Sequence, residues 1–117
     1  MGDNLMSELT VNSLTNQDIS LCKAWVNFNG RGTVAIRSSY NVSSITDNGT
    51  GDYTVNLAIA MNDINYTAIA GGSDVGVGTF RNINSMVATT STFVIGTENS
   101  SGGAADADHM YAMVFGN

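Results

Sequence analysis

The sequence predicts an all-β chain, a single antiparallel β-sandwich domain behind an N-terminal arm. Three observations carry that prediction. Apolar residues recur at every second position in run after run, the period of a strand with one buried face. Turn residues punctuate the chain at the short, regular intervals of a sandwich or barrel. Charged residues make up only 12% of the chain while Asn, Thr, Ser and Gly abound, so the exposed faces must be polar without being charged. Hydroxyls and amides suit strand surfaces and turns better than helix interiors, where they compete for backbone hydrogen bonds.

Taken in order, residues 1–22 read as an arm. Leu9 and Val11 alternate with Thr10 and Asn12, but no hairpin partner adjoins them, and a lone strand must find an edge in its own chain or another's. Leu9, Val11 and Leu14 are therefore candidate interface residues; an edge strand of the arm's own sheet is the other reading. The body, 23–117, opens with a strand at 23–29 that sets Ala24, Val26 and Phe28 against Lys23, Trp25 and Asn27. Asn29-Gly30 offers the positive φ angles of a short hairpin turn leading to a strand at 32–37. Asn48-Gly49 is a second such corner, followed by a strand at 52–58 with Tyr53, Val55 and Leu57 on one face; the run 57–61 reads as its end. Asn62-Asp63 forms a corner before a strand at 65–70 carrying Tyr66, Ala68 and Ala70. Further strands are expected at 75–80, 85–90, 92–97 and 109–115, with 98–108 an exposed, flexible loop.

Several function classes fall away. A formal net charge of −6, with Lys23, Arg31, Arg37 and Arg81 unclustered, leaves nothing to track phosphates, so nucleic acid is not an expected partner. Cys22 is the only cysteine, which excludes an intrachain disulfide and two-cysteine zinc patterns; ahead of an apolar strand it is expected to be a buried, inert thiol. No apolar run before Lys23 is long enough for a secretory core or a spanning helix, so no membrane insertion is expected. Counted from Asp47, the third and fifth positions of a calcium loop are Gly49 and Gly51 and no closing Glu follows, so Asp47 and Asp52 read as caps on a hairpin corner.

Asp106, Asp108 and His109 gather two carboxylates and the only imidazole; as a strand they put His109 on the face opposite the acids, and a solvent-facing histidine is the expectation. One chain cannot easily close three ligands on a metal here, whereas three His109 rings about a trimer axis could, and a weak ion site between Asp47 and Asp52 is the other arrangement left open. No local pattern arranges a catalytic triad or a phosphate loop, so neither enzymatic activity nor a cofactor is expected. Tyr53, Tyr66 and Phe93 share faces with aliphatic residues and belong to the core, whereas Trp25 points the other way, which marks contact with another subunit or a ligand.

The run KAWVNFNGRGTVAIRSSYNVSSITDNGTGDYTVNLAIAMNDINYTAIAG, 23–71, resembles a module of small virion proteins of tailed bacteriophages, chiefly marine and cyanobacterial ones, where it usually occurs in tail-fibre proteins. Asn62 departs from the proline that the family often carries at that corner, and Arg31 from a smaller residue. More distantly, the strand order closing on TTSTFVIGT and MYAMVFGN is similar to trimeric H-type lectin folds, six-stranded antiparallel sandwiches that bind sugars. The first resemblance implies a homotrimeric virion component, made in the bacterial host cytoplasm and displayed on the virion surface. Its expected partners are its own copies, other virion proteins, and a host surface glycan or receptor. Host-contact candidates then fall in the loops at 71–79 and 98–108, at Gly72, Ser73, Asp74, Ser100, Asp106 and Asp108. A capsid or tail decoration protein, or a carbohydrate-binding module, are the alternatives.

Overall fold

The computed structural model describes residues 21–74 and 82–116. The arm with Leu9, Val11 and Leu14, the strand expected at 75–80, and Arg81 lie outside the described residues.

Among the described residues there are eight strands: β1 (Cys22–Asn29), β2 (Ala35–Tyr40), β3 (Val42–Gly49), β4 (Asp52–Leu57), β5 (Thr67–Ser73), β6 (Asn82–Val87), β7 (Thr92–Glu98) and β8 (His109–Phe115). They form two four-stranded antiparallel sheets, ordered β2-β1-β8-β5 and β3-β4-β7-β6. The all-β sandwich expected from the alternation is what the chain builds.

The core is made by the two central strands of each sheet, because among the described strands only these have neighbours on both sides and a second sheet above them. Ala24, Val26 and Phe28 of β1 and Met110, Ala112 and Val114 of β8 meet Tyr53, Val55 and Leu57 of β4 and Phe93 and Ile95 of β7, all buried. Phe28 and Tyr53 touch across the sheets edge to face, with ring centroids 5.4 Å apart. Burying one such large apolar side chain contributes about 1.5–3 kcal/mol. The outer strands contribute only partly buried residues such as Ile36, Ile45, Ala68 and Ile83. Where β5 and β6 run beside each other, the Ser85 hydroxyl donates to the Ala68 carbonyl at 2.6 Å.

Several boundaries differ from expectation. β2 begins at Ala35 rather than at 32, because the Asn29 side chain organises a longer loop: its Nδ2 donates to the carbonyls of Arg31 (2.7 Å) and Thr33 (3.1 Å). β4 stops at Leu57, and 58–61 is not strand. The chain passes from β2 to β3, and so between sheets, through the single residue Asn41, held at φ 55°. Asparagine tolerates that left-handed conformation. Its side chain then donates to the carbonyls of Lys23 and Ile59 (both 3.1 Å) and accepts from the Ile59 N–H (2.7 Å). Cys22 is half-buried rather than buried, its thiol directed at the Ala24 carbonyl.

Candidate functional site: the outer face of the first sheet

In the β2-β1-β8-β5 sheet the inward residues make the core, so their alternates face solvent. Strand register aligns four of these alternates in one row: Tyr40 opposite Trp25, Trp25 opposite Met113, Met113 opposite Ile69. In the next row Ser38, Asn27, Tyr111 and Gly71 stand side by side. The Tyr111 ring lies over Gly71, where a β-carbon would sit 2.5 Å from its Cε2. Tyr40, Trp25, Met113, Ile69 and Tyr111 are each between 40% and 57% exposed, a continuous apolar surface.

Trp25 faces outward as its alternation predicts, and it lies at the middle of this surface. Its neighbours Met113 and Ile69 escape sequence reasoning. Alternation gives their outward direction, but their adjacency to Trp25 follows only from the strand order. Beside Tyr40 the surface continues into an open groove of about 470 Å³ lined by Lys23, Tyr40, Asn41, Ile59, Met61 and Asn62, among others.

Charge is divided between the sheets. The strands of the first hold Lys23 and Arg37 and no carboxylate. Those of the second hold Asp47, Asp52 and Glu98 and no cation. The outer face of the second sheet is also chemically different, a lattice of amides and hydroxyls over β3 and β4 with Met86 beside Val94 as its apolar pair on β6 and β7. Asn56 Nδ2 donates to Ser44 Oγ (3.1 Å) and Thr46 Oγ1 (3.0 Å), and Asn48 Nδ2 to Thr54 Oγ1 (2.8 Å).

The loop candidates for host contact collect at one end of the sandwich, and most of them are engaged by the fold. Asp106 Oδ1 accepts the Gly51 N–H (2.8 Å) and faces the Tyr53 hydroxyl (2.8 Å), whose single proton it shares with the Gly30 carbonyl at 2.6 Å. Burial, and after it the Asp106 carboxylate, raises the Tyr53 pKa above the ordinary phenol range. Asp74 Oδ1 accepts from Arg31 (2.9 Å) and from the Asp108 N–H (3.1 Å). Arg31 also reaches the Asp106 carbonyl (3.1 Å) and, through Nε, the Asp108 carboxylate (3.4 Å).

Residues 98–108 are thus not the free loop their composition suggests. Ala107 is fully buried and its carbonyl accepts the Gly30 N–H, and only 100–104 are exposed, Ser100 among them. Gly72 is half-buried under its neighbours on β8, and Ser73 is exposed at the end of β5. β8 starts at His109, so Asp106 and Asp108 are not on a strand with it. His109 is half-buried rather than solvent-facing, and its Nδ1 is buried with no hydrogen-bond partner among the described residues. No group of three or more His, Cys, Asp or Glu placed to hold a metal ion occurs among the described residues.

No family model, no curated protein and no solved structure matches this chain.

Proposed function

We propose that this chain is a non-enzymatic structural component of a tailed-phage virion, a trimeric tail-fibre or receptor-binding protein. The observation that carries this reading is the outward apolar row Tyr40–Trp25–Met113–Ile69, four exposed apolar side chains set side by side across one sheet. Contiguous exposed apolar patches are often functional, as protein-association or ligand-binding surfaces. The resemblance of residues 23–71 to tail-fibre modules supplies the biological setting. The exposed stretch 100–104, mounted on the tied-down segment 105–108, is the part of the recognition end best placed to meet a host surface.

A capsid or tail decoration protein is the second reading. It is favoured by β2 and β3, which end their sheets and can accept an added strand from a neighbour. Locating the protein in a density map of the purified particle separates the two: density at fibre tips supports the first, density on the capsid or tube lattice the second. Absence from purified particles would discard both.

A further inference from the structure

We propose that the outer face of the β2-β1-β8-β5 sheet is the surface on which a second copy of this chain docks, with Trp25 at its centre. This rests on the oligomeric virion reading above and names the surface that serves it.

Three features choose the occupant. The first is size. Five side chains of about 200 Å² each, roughly half exposed, present about 500 Å² of apolar surface. That is close to the apolar share of one side of a standard interface, which buries about 800 Å² per partner. The second is composition. Trp, Tyr and Met are enriched in interface centres and charge is depleted there; here the row is uncharged and Lys23, Arg37, Thr67 and Ser73 supply a polar surround. The third is electrostatic. Two copies, each of formal charge −6, repel, and they approach at least cost through the sheet whose strands carry no carboxylate. The other sheet provides an internal control, because its outer face carries only the Met86–Val94 pair among amides and hydroxyls and its strands hold acids without cations.

The test uses the full chain. Sedimentation equilibrium over a wide concentration range is expected to show self-association. Trp25→Lys and Met113→Lys should each weaken it at least 100-fold, while Met86→Lys, at a 64% exposed position on the other sheet, should change it less than 3-fold. Trp25 is the only tryptophan, so the wild-type chain reports on the same face without mutation. Its emission should shift to the red, and its quenching by acrylamide rise, as dilution dissociates the assembly. The proposal is overturned if the chain is monomeric throughout, if the Met86 variant dissociates as readily as the Trp25 variant, or if quenching is independent of concentration. It is equally overturned if an acidic polysaccharide shifts Trp25 emission in a monomer, because the face would then be a glycan platform. None of these results alters where the protein sits on a particle, which the localisation experiment decides separately.

Discussion

Two turns carry the same pattern, Asn-Gly-x-Gly, at 29–32 and at 48–51, and the fold uses them in opposite ways. In the first, the loop between β1 and β2 runs over 30–34, and its second glycine, Gly32, takes the positive φ of 66° in open space. Its first glycine, Gly30, is buried with an ordinary φ and serves close approach. In the second, Thr50-Gly51 alone joins β3 to β4; Gly49 (φ 133°) faces open space, and Gly51 combines both demands, φ 68° and burial. The buried glycines meet the same segment. Gly30 donates to the Ala107 carbonyl (3.0 Å), and Gly51 donates to Asp106 and accepts from the Thr97 N–H (2.9 Å). A turn motif therefore states that a sharp reversal occurs; what packs against it decides which glycine is indispensable.

The largest expected effect is at Gly51. A β-carbon there meets the Thr97 carbonyl oxygen and stands 2.9 Å from the Ala105 nitrogen, both backbone atoms, in a conformation that L residues rarely adopt. Gly51→Ala should cost about 3 kcal/mol or more, read as a fall in urea midpoint at fixed protein concentration. It should also free 105–108, detected as faster amide exchange there. Gly30→Ala comes next. Its β-carbon stands 2.7 Å from the Tyr53 hydroxyl oxygen and 2.8 Å from the Ala107 carbonyl oxygen, without any φ penalty, so about 2 kcal/mol is expected. If Gly30→Ala proved costlier than Gly51→Ala, close approach rather than φ would rank the two turns.

Tyr53 joins the turns, since its hydroxyl lies between the Gly30 carbonyl and Asp106, whose carboxylate also holds Gly51. Tyr53→Phe leaves these acceptors short of a donor and should cost about 1–2 kcal/mol. The pH dependence has a definite sign. Because the folded phenol titrates above the usual value of about 10, the unfolded chain loses its proton first, so the contribution is intact below about pH 10 and falls as pH rises beyond it. Burial raises the Tyr66 pKa too, so Tyr53→Phe should reduce the alkaline slope without abolishing it. An unchanged slope would remove Tyr53 as the link.

What sequence reasoning can reach divides along the same line between local pattern and distant contact. The inward sets of β1, β4 and β8 are legible because each strand is buried on one face only, which writes period two into the chain. In the stretch through β2 and β3 the alternation is confined to Val34 and Ile36 and gives way to Ser and Asn on both faces, so periodicity places the start of β2 too early and conceals the Asn41 crossing. Trp25 can be assigned its outward face from its own strand, but the row it completes depends on β8 lying between β1 and β5. The ordering of 105–108 rests on contacts with residues around 30, 51 and 74, far along the chain, and composition alone reads those small polar residues as a free loop.

Gly32 separates the two costs that Gly51 combines. Gly32 holds φ 66°, but a β-carbon added there would meet nothing within 4 Å, so Gly32→Ala isolates the conformational cost from the steric one. About 1 kcal/mol is expected, the left-handed penalty offset in part by a stiffer unfolded chain. Amide exchange at 105–108 should not change, because a β-carbon at Gly32 meets nothing and Asn29 still organises the loop from which Arg31 reaches Asp106 and Asp108. A cost near that of Gly51→Ala would mean that φ alone governs both turns, and the packing of 105–108 against Gly51 would then contribute little to holding that end of the sandwich in shape.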